Sequence, residues 1–164
     1  KKKKMDANVD RSWANIEEGE NRVENGIISD PSIVETVKET LVLARRGQGA
    51  FREGLFSLEK FCRITKVDHP EHLIASHTKP WRDCDNEERL NPENGFLLTP
   101  TVDHLFDKGF ISFEDNGDLI ISPVAHQDSL RKMSIPINER LNVGSFSSGQ
   151  KEFLDWHRTS LLLV

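Results

Sequence analysis

Residues 75–113 read ASHTKPWRDCDNEERLNPENGFLLTPTVDHLFDKGFISF. His77 ends an apolar stretch, Asn94-Gly95 precedes a second one, and Asp103-His104-Leu105-Phe106-Asp107 is a segment that can start a helix. Hydrolysing a phosphodiester calls for three things in one place: a water deprotonated near neutral pH, charge stabilisation on the transition state, and help for the leaving 3′-oxygen. A histidine suits the first, because its ordinary pKa lies close to working pH, and a divalent ion held by carboxylates suits the other two. Each residue also has a plainer use. A histidine on a strand can simply be hydrogen-bonded in a core, and Asn-Gly is among the commonest turn dipeptides.

Taken together the block resembles the HNH endonucleases, specifically a bacterial branch with ASH-x-KPW, NP-x-NG and LFD-x-G motifs. The similarity runs over about residues 43–160 and is most specific in 75–113. The resemblance implies a ββα-metal core, hydrolysis of DNA phosphodiesters, His77 as general base, and Asn94 as the residue that bonds across the loop to hold the base's strand in register. It also implies metal ligands on the helix. A count of nine residues from Asn94 gives Asp103, and four more give Asp107 on the same helical face. His104 is the competing assignment, since neighbours on a helix point about 100° apart. Two carboxylates favour Mg²⁺ or Mn²⁺, with Zn²⁺ left open. Lys79, Arg82 and Arg89 are candidates for backbone phosphates, and the setting, by analogy, is bacterial restriction or defence against foreign DNA.

Three positions depart from the family pattern. Ser76 stands where many HNH sites carry a metal-ligating Asp or His, which points to a coordination shell completed by water. Thr78 replaces a usual isoleucine, and Lys66 a usual turn glycine.

The elements that must position these residues read as α+β: a ββα-metal core with flanking helices and an additional β-hairpin. Residues 1–30 are polar with few apolar anchors and read as loose or partly disordered unless a partner orders them. Residues 31–164 read as the endonuclease domain, with its motif core at 62–113. Ile33, Val37, Leu41 and Ala44 recur at helical spacing, and Gly47-Gln48-Gly49 reads as a stop before a second short helix at about 50–60. Cys62–Thr65, Leu73–Ala75 and Phe96–Leu98 are β-prone. Thr101 can cap a helix through Asp107 that Gly109 ends. Asp115-Asn116-Gly117 between two apolar runs predicts a hairpin, and helices are expected at about 127–133 and 149–162.

A net charge of −5 argues against gripping nucleic acid over the whole surface. The charge is uneven, however: residues 5–30 hold seven acids against two arginines, so composition neither predicts nor excludes DNA as the partner. Target recognition would call for a homodimer or an additional domain. Lys1–Lys4 is followed by no apolar run and reads as a solvated tail rather than a nucleic-acid arm. Two cysteines, no apolar span and no secretory pattern suggest a cytoplasmic protein without membrane contact. Two rival readings stand beside the nuclease. One is an inactive HNH-fold module that only binds DNA. The other is a structural zinc module built from Cys62, His69, His72 and Cys84, whose spacings match no usual zinc signature.

Overall fold

The computed structural model describes the backbone of residues 2–164 and the side chains of residue 11 and residues 14–164. The side chains of Lys1–Lys4, read above as a solvated tail, lie outside that range. Residues that lack an apolar pattern on sequence grounds form a long helix, α1 (Lys2–Ser29). It folds back along α2 (Glu35–Leu58) through a turn in which Asp30 Oδ1 accepts from the Ser32 amide and hydroxyl. Polar ties rather than apolar burial zip the pair. Arg46 donates to the Glu24 carboxylate at 2.6 Å, Arg45 Nε to the Glu20 carbonyl, and Lys38 Nζ to the Ile28 carbonyl.

α2 runs unbroken through Gly47 and Gly49, where the sequence predicts a stop and two shorter helices. The reason is tertiary. A Cβ at Gly47 would lie 3.2 Å from the Trp81 ring, and one at Gly54 3.3 Å from Pro92. The glycines are thus points of close approach on one face of the rod, and that packing outweighs the roughly 1 kcal/mol that glycine costs in a helix interior.

Residues 62–65, expected as a strand, form a turn instead: the Cys62 amide donates to the Val67 carbonyl, and Lys66 takes a positive φ of 62°. Its backbone thus has the conformation that favours glycine. Two short strands follow, β1 (Ile74–His77) and β2 (Gly95–Leu98), antiparallel with His77 opposite Gly95 and Ser76 opposite Phe96. Between them lie a five-residue helix, α3 (Asn86–Leu90), and three-residue helical turns at Trp81–Asp83 and Pro92–Asn94. Asn94-Gly95 is therefore no hairpin turn: Gly95 is extended and opens β2. Helix α4 (Pro100–Asp107) has its N-cap at Thr99, two residues before the expected cap Thr101, and Gly109 follows it at φ 71°. A second antiparallel pair, β3 (Ile111–Phe113) and β4 (Leu119–Ile121), is followed by α5 (Gln127–Lys132) and α6 (Ser148–Ser160).

Because side chains alternate along a strand, the β1–β2 sheet has two differently clad faces. Phe96 meets Phe106 of α4, Phe113 and Phe146 with centroids 5.4–5.9 Å apart. The opposite face, carrying Gly95, lies against Phe51 and Leu55 of α2. Among the described residues, no helix is long and apolar enough to cross a membrane.

α6 is fastened to α4 by a buried histidine. His157 stacks on Phe106 at 3.9 Å, its Nε2 donates to the Phe106 carbonyl, and its Nδ1 accepts from the Ser112 hydroxyl. Burial pushes its pKa down from 6.5 to about 4. The unfolded chain therefore takes up a proton that the folded chain refuses. The contribution is fully present above pH 6.5 and is lost as pH falls toward 4, an effect of about 3 kcal/mol. Denaturant titrations across this window should show that slope. His157→Gln should be less stable at pH 7 yet show a flatter dependence.

Candidate active site

α3 is the starting point, because a five-residue helix leaves its last carbonyls without intrahelical partners. It is begun firmly: Asp85 accepts from the Glu87 and Glu88 amides while the Glu88 carboxylate accepts from the Asp85 amide. At its far end the Glu88 carbonyl accepts from Asn94 Nδ2 at 3.1 Å, and the Arg89 carbonyl accepts from His77 Nε2 at 3.0 Å.

Asn94 is fully buried. Its Oδ1 accepts from the Lys79 amide at 2.8 Å, and its own carbonyl accepts from the Thr78 amide. Nδ2 also reaches Cys84 Sγ, whose thiol in turn donates to the Lys79 carbonyl. One side chain thus ties the exit of β1, the Cys84 loop and α3 to the start of β2.

His77 is half-buried on the α2 side of the sheet. Its ring stacks on Phe51 at 3.6 Å and meets the Trp81 ring edge-on at 5.5 Å. A carbonyl can only accept, so Nε2 carries the proton and the neutral ring keeps its lone pair on Nδ1. Nδ1 has no hydrogen bond among the described residues. Burial pushes the His77 pKa below its ordinary 6.5, and the Arg89 carbonyl pulls it part of the way back. A ring held this way stays neutral at pH 7 and offers one basic nitrogen.

Phe106 of α4 covers the Phe96 face of the sheet, which Ser76 shares. Asp103 is half-buried, His104 is exposed beside Phe110, and Asp107 is exposed with Lys108 Nζ at 3.0 Å. The His77 ring packs on α2, and among the described residues no hydrogen bond, ion pair or ring contact joins it to Asp103, His104 or Asp107. Among the described residues, no three His, Cys, Asp or Glu side chains form a group that could hold a metal ion. That applies equally to the zinc alternative. Cys62 is part of the hydrophobic core, and burial pushes the Cys84 thiol pKa up.

Of the phosphate candidates, Lys79 is matched to both Glu88 oxygens at 2.7 Å, which raises its pKa and lowers that of Glu88. Arg89 is pinned by its Nε to the Trp81 carbonyl and lies over the Trp81 ring. Arg82 lies on the surface beside Asp83. The side chains nearest His77 that sequence reasoning did not single out are Phe51 and Trp81, together with Arg45, Gln48 and Arg52, which line the same cavity. Their signal was present: 45, 48 and 52 are spaced i, i+3, i+7 on one helical face, but the expected stop at 47–49 breaks that face in two.

Residues 62–114 match the HNH endonuclease family, a stretch from the turn after α2 to the end of β3 and less than half of the chain. No curated protein matches the sequence.

Gly95 is the narrowest point of the site. A Cβ there would lie 2.5 Å from the Phe51 ring and 2.6 Å from the Ser76 carbonyl. Gly95→Ala should displace Phe51 from beneath His77 and cost about 1–3 kcal/mol by overpacking. Because burial is what depresses the His77 pKa, an NMR titration of the variant should find it moved back toward 6.5. An unchanged His77 pKa would show that Phe51 does not shield it.

Proposed function

We propose that the chain is a metal-dependent DNA endonuclease of the HNH type, hydrolysing phosphodiester bonds. The observation that carries this reading is His77, within the HNH-matching segment, with Nε2 tied to a backbone carbonyl and Nδ1 left as the single basic nitrogen. In this reading His77 Nδ1 takes the proton of the attacking water, and Trp81 and Phe51 hold the ring so that Nδ1 keeps its aim. Asn94 keeps the end of β1 where the base needs it.

Asp103 and Asp107 are proposed to hold the divalent ion, with His104 as the alternative ligand. The described side chains make no three-ligand cage. Two carboxylates one turn apart nevertheless suit a hard cation such as Mg²⁺ or Mn²⁺, which keeps several waters and takes further oxygens from substrate phosphates; Zn²⁺ would ask for His104. Such an ion supplies charge stabilisation to the phosphorane-like transition state and the leaving oxygen. Residues 31–164 would be the nuclease domain and residues 1–30 an appended segment, acting in the cytoplasm in restriction or defence. The lack of a three-ligand group favours one second reading, an HNH-fold module that binds DNA without cutting it.

A plasmid-nicking assay on methylated and unmethylated DNA with Mg²⁺, Mn²⁺ or Zn²⁺ separates the two. His77→Ala should stay folded and lose at least about 10²-fold in rate; near wild-type nicking by the folded variant would sink the assignment. The wild-type rate should fall on the acid side as His77 protonates, with a midpoint below 6.5, since its folded pKa is lowered. For the metal, calorimetric titration of Mn²⁺ should show weakened binding in Asp103→Ala and retained binding in His104→Ala. The reverse pattern would make His104 the ligand.

A further inference from the structure

The exit of β1 and the end of α3 are joined by three links. His77 Nε2 donates to the Arg89 carbonyl at 3.0 Å. Asn94 bridges the Lys79 amide and the Glu88 carbonyl. The third link joins side chains that carry full charges: Lys79 Nζ lies 2.7 Å from each oxygen of the Glu88 carboxylate. Charge-assisted bonds are stronger than neutral ones, and both side chains are partly buried, so solvent screens this pair less than an open surface bridge.

Glu88 also acts along its own helix. Its Oε2 accepts from the Asp85 amide at 2.9 Å and closes the capping box that starts α3. One carboxylate therefore fastens a five-residue helix to a side chain two residues beyond His77. A helix this short has little hold of its own, so its place against β1 is set by such ties. Arg89, whose carbonyl meets His77, directly follows Glu88, and movement of Glu88 carries that carbonyl with it.

We propose that Lys79 and Glu88 are a positioning pair for His77: the ion pair holds α3 against the end of β1, so that the Arg89 carbonyl keeps the proton on Nε2 and leaves Nδ1 bare. The service of the pair to catalysis rests on the nuclease reading, whereas its effect on the imidazole does not. It gives Lys79 a role other than the phosphate contact expected from the sequence.

The test is long-range ¹H–¹⁵N NMR of the full chain, which reads the protonation of each ring nitrogen, with plasmid nicking in Mg²⁺ or Mn²⁺ and anisotropy of a labelled DNA duplex measured in parallel. Glu88→Gln keeps a residue that suits the capping box but removes the charge, and Lys79→Met removes the partner. Both should shift part of the His77 population to the Nδ1–H tautomer. Both should also move its pKa further below 6.5, since the carbonyl that favours the protonated ring is withdrawn while Phe51 and Trp81 still shield it. Nicking should fall about tenfold, the scale of one hydrogen bond to a charged group. Lys79→Arg can still pair with Glu88 and should show the wild-type His77 tautomer. His157, bonded to Phe106 and Ser112, is the internal reference: its ring signals should not move, so that a change confined to His77 is local. Should Lys79→Met fail to fold, Glu88→Gln decides. The proposal is overturned if folded Glu88→Gln keeps the wild-type tautomer and pKa of His77. Tighter binding of duplex DNA by that variant with an unchanged imidazole would overturn it too, as the mark of a lysine released to hold phosphate. A shifted imidazole without nicking by any form of the chain, in any metal, upholds the pair and removes the nuclease reading.

Discussion

The last carbonyls of α3 are acceptors that a five-residue helix cannot use itself, and the candidate site is organised around them. Asn94 takes one and His77 takes the next. The two residues that sequence singles out as base and holder are thus joined through consecutive peptide units of a third segment, not through each other. A buried amide with this many partners is costly to misplace, because each unsatisfied group would bear a desolvation cost of about 1–3 kcal/mol. The Asp85 capping box matters for the same reason. It fixes a helix too short to persist alone, and through it the position of both carbonyls.

The second constraint is the thinness of the β1–β2 sheet. With only two strands, it relies on helices for cover on both faces. Phe106 of α4 covers the Phe96 side, and Phe51 and Leu55 of α2 cover the Gly95 side. α2 can approach this closely only because β2 begins with a residue that has no side chain. The end of α2 is anchored in turn: Glu59 accepts from Arg63 and from Gln150 of α6. The long helix ahead of the nuclease-like segment is therefore part of the wall around the candidate base.

Much of this was legible in the sequence, and the exceptions have physical causes. β1, β2, α4, α5 and α6 follow from short apolar runs and from breaker residues such as Gly109. The unbroken α2 was hidden because Gly47 and Gly49 normally end helices, and only the Trp81 ring that packs on Gly47 explains the exception. α1 was hidden because its docking is largely polar, through Glu20, Glu24 and the Ile28 carbonyl, which leaves few apolar anchors to read. At the site, His77 and Asn94 stood out by type and spacing. Which helix covers each face of the sheet depends on long-range packing, and no local pattern records that. Lys79 and Arg89 looked available because their partners, Glu88 and the Trp81 carbonyl, are set by the fold of the loop.

In the proposed nuclease, the bond from His77 Nε2 to the Arg89 carbonyl would also govern what happens to a proton after it is accepted. With Nε2–H committed to a peptide oxygen, the ring cannot pass charge through its far nitrogen to a neighbouring side chain, as a relay would. A proton taken up at Nδ1 must leave from Nδ1, by the same opening through which water arrived. Phe51 against one face and Trp81 at the edge restrain the imidazole from turning over to find another exit. Reloading of the base between turnovers is thereby coupled to departure of whatever fills that opening, so the residence time of the product strand would limit how soon the imidazole is basic again.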